Sequence, residues 1–594
     1  CRKNQNKSGG KAQKVVKKPK LCYTNREFLF TEVGMDFKRH IAARVKAEGL
    51  TENDIYSMIE LPPNTEMGDF ALPCFKLAKT MRKAPALIAQ QIAADYQTDG
   101  IVGEVSAVNG YVNFKIDRAL WAKQTLEEVL SAREKYGSGE DGEGKTVCIE
   151  YSSVNIAKPF HIGHLSSTVI GSALYKLHKF LGYHAVAINH LGDYGTQFGK
   201  LISAYKRWGS REEIEKGGLR ALNALYVRFH EEAEKEPSLN DEARAFFKKI
   251  EDKDEESVAL FEWFKELTLK DVGKIYELLD VHFDSWAGES FYIDKMQPVI
   301  DELREKGLLK ESEGAQIVDL EAYGMPPCIV LRSDGASLYA TRDLATAIYR
   351  KETYDFYKSL YVVAYQQNLH FKQFFKVLEL MGKEWAKDLV HVGYGMVSLE
   401  DGSMSSRKGR VVYLEDVINR CIEKARGIIA EKNPSLENKD EIAKTVGVGA
   451  VIFGALYNNK IKDITFSYDK VLNFEGETSC YVQYTCARAN SVLEKGGAAR
   501  SCTAAAVCPQ EFEIVKQLAE FPAMLRDALD KYEPCFIARY AVDLAQKFNK
   551  FYFDCSILNA DEDTRAFRLS LTEATLVVLK NALSLLGIGV PEKM

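Results

Sequence analysis

Residues 146–191 constrain the fold more than any other stretch of the chain. TVCIEYSS (146–153) is a short apolar run. HLSSTVIGSALYKLHKFLG (164–182) repeats its apolar residues at helical spacing and ends on Gly182, and HAVAINHL (184–191) is a second apolar run. These periods predict strand, helix, strand. Two strands joined by a helical crossover of about 30 residues form a right-handed unit of a parallel sheet. Ligands of open α/β sheets bind beyond the carboxyl ends of the strands. The turn at that place reads Lys158-Pro159-Phe160-His161-Ile162-Gly163-His164. A helix N-terminus offers free N–H groups and partial positive charge to a phosphate, and Gly163 allows close backbone approach. Imidazoles at i and i+3 can donate to an oxyanion that gains charge in a transition state.

The same alternation resumes with CIVLRS (328–333), LYVVAYQ (360–366) and LVHVGYGMV (389–397), read as further strands of that sheet. Between them, about 206–325 is charged and mostly helical, an insertion into a split nucleotide-binding domain over 141–410. Upstream, 35–140 reads as a small α+β domain. It has helices at 35–50, 78–97 (interrupted at Pro85) and 117–135, and a strand pair in 105–116 around Asn109-Gly110. Downstream, 411–594 is dominated by amphipathic helices at 413–431, 440–457, 477–496, 510–531, 533–553 and 567–587. The fold class is multidomain α/β with a C-terminal helical bundle.

Bulk charge assigns no partner. The net charge of the 594 residues is −5, yet residues 1–34 hold nine Lys/Arg against two Glu. The body is therefore acidic, and nucleic acid would bind it through local patches. The basic tail at 1–34 has too little apolar content to offset ordering entropy, so we expect it to be disordered, with Met35 opening the folded protein. The tail lacks the apolar stretch of a signal peptide, and no run of 18 apolar residues occurs, which points to a cytoplasmic protein with no membrane partner. Twelve cysteines without a C-x-x-C pair read as reduced thiols, with no zinc site or other metal site.

A second loop, Ser403-Met404-Ser405-Ser406-Arg407-Lys408-Gly409, follows the last expected strand. Hydroxyls, a glycine and two cations suit a flexible clamp on a polyanion. Together with the HIGH-type turn at 161–164, this loop makes the chain resemble a class I aminoacyl-tRNA synthetase, and more narrowly an arginyl-tRNA synthetase. The resemblance runs from about 35 to 594. It covers nearly all of 150–201, LYATRDLATA (338–347), QQNLHFKQFF (366–375), NFEGETSCYVQYTCARANSVL (473–493), RYAVDLAQKFNKFY (539–552) and the ending LLGIGVPEKM. It implies a Rossmann-like catalytic domain with a helical insertion, a small α+β N-terminal add-on domain that grips tRNA, and a C-terminal α-helical anticodon-binding bundle. The implied activity is that of an arginine–tRNA ligase: ATP with Mg2+ activates L-arginine to arginyl-adenylate, and the arginyl group passes to tRNA(Arg). No tightly bound cofactor or structural zinc is implied, and the protein is read as a monomer.

The resemblance also assigns roles residue by residue. His161, Gly163 and His164, with Met404, Ser405 and Ser406, would bind ATP. His161, His164, Lys158 and Lys408 would stabilise the reacting phosphates, with no side-chain nucleophile. The guanidinium of arginine would lie on Glu150, Tyr339 and Asp343, and its head group on Asn155 and Gln367. A planar guanidinium with five donors wants paired carboxylate oxygens, and Tyr339 and Asp343 at i and i+4 share one helix face. Asn109, Tyr111 and Asn113 match the edge that meets the outer corner of tRNA, where an aromatic flanked by amides suits an unstacked base. Tyr484, Arg488, Tyr552 and Met594 are candidates for the RNA face of the C-terminal domain. Ser403 and Ser406 stand where the family pattern has lysines, so Lys158 and Lys408 are expected to stand in for them. Ser479, Cys480 and Cys486 stand where the family has Gly, Pro and His. Read without the resemblance, alternatives stay open: turn histidines at 161 and 164, Asp343 paired with the adjacent Arg342, Tyr111 and Tyr552 as core aromatics, a small HxGH nucleotidyltransferase, or an inert RNA-binding relative.

Overall fold

The computed structural model describes residues 37–62, 67–332, 339–399 and 412–594. The basic tail and the 403–408 loop, with Met404, Ser405, Ser406 and Lys408, lie outside the described residues. The chain divides into two compact units, one of Cys1–Thr98 with Glu104–Lys115, the other of Asp99–Gly103 with Ile116–Met594.

The smaller unit carries β1 (Phe70–Pro73) and most of β2 (Val102–Val108) and β3 (Tyr111–Ile116), in the order β1-β3-β2, with helices Glu52–Met58 and Pro85–Asp95. Asn109 and Gly110 turn β2 into β3 with φ of 49° and 83°, the left-handed pair that a two-residue hairpin turn requires. β1 has no sequence signal because four residues are too few to show a period. It lies antiparallel to β3, with Ala71 opposite Asn113. The first helix is shorter than its amphipathic pattern and runs Phe37–Ala42, although Val45 beyond it is still buried.

In the larger unit β4 (Thr146–Glu150) and β5 (His184–Ile188) are parallel and joined by the helix Leu165–Phe180. That helix can lie on the sheet because Gly171 carries no side chain: a Cβ there would meet Tyr151 at 2.2 Å. After β5 the chain leaves the sheet for helices Thr196–Trp208, Arg211–Lys235, Leu239–Glu251, Glu255–Leu278 and Met296–Glu305. It then forms a separate antiparallel sheet of β6 (Leu309–Ser312), β7 (Ala315–Val318) and β8 (Cys328–Leu331). The segment Cys328–Leu331 thus differs from expectation. β8 is no strand of the parallel sheet: it pairs antiparallel with β7 as the edge strand of this separate sheet. The chain returns through the helix Tyr339–Tyr354 to β9 (Lys358–Ala364) and, after the helix Asn368–Leu380, to β10 (Leu389–Tyr394). The four parallel strands stand in the order β10-β9-β4-β5.

Helices Leu414–Lys432, Lys439–Leu456, Ser479–Gly496, Pro509–Asp530, Cys535–Asp554 and Glu562–Leu585 follow, close to where the amphipathic pattern puts them. The helix Arg118–Ala132 packs with these. Trp121 meets Phe512 edge-on at 5.4 Å. Asn581 Nδ2 donates to the Arg133 carbonyl at 2.9 Å, the Tyr136 hydroxyl donates to the Leu518 carbonyl at 2.9 Å, and Arg133 pairs with Glu573 at 2.8 Å. The multidomain α/β class, with a helical C-terminal third, is what the structure shows. Among the described residues no helix is long and apolar enough to cross a membrane.

Candidate active site

The chain from Tyr151 to His164 follows β4 at the carboxyl end of the parallel sheet. Ser152, Ser153 and Ala157 have φ of 67°, 46° and 59°. Left-handed backbone costs about 1–2 kcal/mol per non-glycine residue and persists only where the surroundings enforce it. Here the enforcing bonds are visible. The Ser152 N–H donates to Ser167 Oγ at 2.9 Å, and Ser167 Oγ in turn donates to the Val362 carbonyl at 2.9 Å. The Ser152 hydroxyl lies 2.9 Å from Thr168 Oγ1 and 2.7 Å from the Tyr276 hydroxyl. The Ala157 N–H donates to Thr268 Oγ1 at 3.0 Å. Thr268 and Tyr276 lie on the Glu255–Leu278 helix, so the charged insertion supplies part of the frame.

His161 Nδ1 accepts from the Gly163 N–H at 3.1 Å, and His164 Nδ1 accepts from the His161 N–H at 3.2 Å. A backbone N–H only donates, so both Nδ1 atoms are unprotonated and each neutral ring carries its proton on Nε2. The two rings lie 4.0 Å apart, and His164 stacks on Phe160 at 5.1 Å. Burial, then His161 and Lys158, push His164 down to about 3, and burial with Lys158 lowers His161. At neutral pH the pair is two uncharged Nε2–H donors at the mouth of the Leu165–Phe180 helix. Lys158, half-buried, is the cation both rings feel. The turn is tied to the chain that follows the 403–408 segment. The Ile162 N–H donates to the Val412 carbonyl at 3.2 Å, the Leu414 N–H donates to the Phe160 carbonyl at 3.0 Å, and His161 bridges Tyr413. On the other side of that segment β11 (Val397–Leu399) runs parallel to β12 (Ile464–Phe466).

Four acids stand near this sheet edge, each with a resident partner. Glu150 pairs with the buried Arg350 at 2.6 Å. Asp193 pairs with Lys265 at 2.8 Å and also accepts from the Ser290 N–H and hydroxyl at 2.8 and 2.7 Å. Glu289 pairs with Arg342 at 2.8 Å, and burial raises it to about 7 despite that guanidinium. Asp343 Oδ2 lies 2.6 Å from His370 Nε2. Asp343 therefore faces His370, not its neighbour Arg342. Burial lowers His190 even though Glu150, Asp343 and Asp193 all pull it upward, so these acids converge on one ring, whose Nδ1 is buried without a partner. Tyr339 is 68% exposed, and the Arg342 guanidinium lies 5.6 Å from its ring centroid. Asn155 makes a parallel bridge with Gly192, and Gln367 is exposed in the turn after β9. Sequence reading missed Arg350 and His370. The only signal for Arg350 was its i, i+7 spacing from Asp343.

Of the three residues expected at the outer RNA edge, Asn109 is exposed and Tyr111 is half-buried, edge-on to the exposed Phe75 at 5.3 Å. Asn113 is buried, so its amide is not on that surface. The middle strand β3 places it opposite Ala71, and a Cβ at Gly68 would lie 3.1 Å from its Cβ. In the C-terminal third Tyr484, Arg488 and Met594 line two adjoining depressions of about 510 and 550 Å³, and Tyr552 lines the first of them. The Arg488 guanidinium lies 5.0 Å from the Tyr484 centroid, 5.1 Å from Tyr552 and 5.5 Å from Phe553, an exposed ring the sequence reading missed. Phe548 and Phe551 are core residues. Among the described residues no group of three or more His, Cys, Asp or Glu is placed to hold a metal ion.

Three family models match in sequence order: an arginyl tRNA synthetase N terminal domain over 35–116, a class I (R) tRNA synthetase catalytic domain over 125–468, and a DALR anticodon binding domain over 482–594. The arginine–tRNA ligase of Alkaliphilus metalliredigens is 53% identical over 564 residues, 94% of this chain and 100% of the relative. That of Clostridium beijerinckii is 54% identical over 567 residues, with the same shares. The solved arginyl-tRNA synthetase of Thermus thermophilus superposes with a TM-score of 0.80 at 26% identity, over 94% of this chain and 99% of that one. The Plasmodium falciparum structure, 24% identical with a TM-score of 0.76 over 90% and 94% of the two chains, shares the fold.

Proposed function

The chain belongs to the arginyl-tRNA synthetase family of class I ligases and joins arginine to tRNA at the expense of ATP; on that premise we propose how its residues divide the reaction. The arginine carboxylate attacks the α-phosphate, pyrophosphate leaves, and a ribose hydroxyl of tRNA(Arg) then takes the arginyl group. The uncharged Nε2–H groups of His161 and His164 donate to phosphate oxygens as charge moves onto them, and the Leu165–Phe180 helix adds its positive end. Lys158 supplies the cation that Ser403 and Ser406 lack, with Lys408 as a second and Gly163, Met404, Ser405 and Ser406 as ATP contacts. Mg2+ bound with ATP would neutralise part of the phosphate charge, beside the charge of Lys158 and the Nε2–H donors of His161 and His164. Asp343 and Glu150 hold the guanidinium under Tyr339, and Asn155 and Gln367 hold the head group. Asn109, Tyr111, Tyr484, Arg488, Tyr552 and Met594 face tRNA(Arg). The enzyme works as a cytoplasmic monomer.

The observation that carries this division is the pair of imidazoles capped on Nδ1 by the backbone at the carboxyl end of the sheet. The test for the arginine side is Asp343→Asn in arginine-dependent ATP–pyrophosphate exchange with tRNA present. The KM for arginine should rise at least about tenfold, as for a lost charge-assisted bond, and the KM for ATP should hardly move. Equal effects on both substrates would count against the assignment.

A further inference from the structure

We propose that His370 is the positioning residue that keeps Asp343 open to arginine; this rests on the reading of Asp343 as a guanidinium anchor. The partners of the other three acids are two guanidinium groups and an ammonium, Arg350, Arg342 and Lys265. Each already pairs with its acid before any substrate arrives, so Glu150 meets the guanidinium of arginine with its charge shared with Arg350. Asp343 differs in two respects. Its side chain is 30% exposed, against 10%, 0% and 15% for the other three. Its partner is an imidazole, which donates from Nε2 to Oδ2 across 2.6 Å without needing a permanent charge.

A carboxylate accepts at about four lone-pair sites. One Nε2–H occupies a single site on Oδ2. Oδ1 and the negative charge are left for a planar guanidinium. His370 itself packs against aromatic rings, 5.6 Å from the centroids of Phe371 and Phe374. A lysine at the same place would pair with Asp343 as Arg350 pairs with Glu150, and the incoming guanidinium would have to displace it.

The experiment compares His370→Lys, His370→Gln and Asp343→Asn in the full-length protein, by arginine-dependent ATP–pyrophosphate exchange with tRNA. It reads the KM for arginine, the KM for ATP and the inhibition constant of citrulline, the uncharged isostere of arginine. His370→Lys should raise the arginine KM about tenfold or more, the scale of one lost charge-assisted bond, and leave the ATP KM within about twofold. His370→Gln, an uncharged donor, should keep both within about threefold. Preference for arginine over citrulline should fall in the lysine variant and not in the glutamine variant. If lysine and glutamine behave alike, or if either variant moves both KM values together, the inference is overturned. If Asp343→Asn itself leaves the arginine KM unchanged, the reading of Asp343 is what fails. If it raises that KM while His370→Lys does not, the reading of Asp343 stands and the role of His370 falls.

Discussion

Replacing Arg350 by Met isolates an ion pair that joins residues 200 positions apart in the chain. The Arg350 side chain is 1% exposed and its Nη1 lies 2.6 Å from Glu150 Oε2. Burial works against its charge, but Glu150, Tyr292 and Tyr361 outweigh that and keep the guanidinium charged. Removing one partner of a buried pair leaves the other charge unpaired and costs about 3–5 kcal/mol, whereas replacing both partners by uncharged groups of similar shape is often close to neutral. The Glu150 side chain is 10% exposed, so water relieves part of that cost, and the low end of the range, about 3 kcal/mol, is expected. In scanning calorimetry this should appear as a drop of roughly 5–10 °C in the transition that unfolds the catalytic sheet. Glu150→Gln combined with Arg350→Met should recover most of the loss. A single variant within about 1 kcal/mol of wild type, or a double variant no better than the single, would refute the reasoning.

The other predictions concern the phosphate site and the helix Arg118–Ala132. Lys158→Ala should lower kcat roughly 10²-fold and change the ATP KM little, since a charge acting on the transition state is lost; near-normal turnover would move the role to Lys408. His164 is held down to about 3 in the folded protein, so between its ordinary value and that point the unfolded chain binds more protons. The stability tied to its neutral ring is therefore complete above about pH 6.5 and lost as pH falls toward 3. Denaturant midpoints of wild type and His164→Gln should converge over that window, and a His164 ring that titrates by NMR near its ordinary value would contradict this. Trp121→Ala should cost about 3–5 kcal/mol and speed hydrogen exchange in the Pro509–Asp530 and Glu562–Leu585 helices; unchanged exchange there would show that those helices do not depend on the 118–132 helix.

What the sequence determined by itself was local. The strand, turn and helix around His161 were legible because apolar period and turn chemistry act over a few residues. The backbone bonds that set both imidazole tautomers come from residues only two and three positions away. The Asn109-Gly110 hairpin and the C-terminal helices were legible for the same reason. Tertiary structure alone decided what covers each apolar face and what meets each charge. Periodicity shows that Trp121, Leu126 and Val129 share a buried side, but not that the C-terminal helices bury it. It makes residues 328–331 a strand without saying which sheet takes them, and it does not show that β3 is a middle strand that buries Asn113. Glu150 and Arg350, or Phe160 and Leu414, are 200 and more residues apart in the chain. Nothing in either neighbourhood names the other, because ion pairs and strand bridges at such separation form only once the hydrophobic layers have set the distance between them.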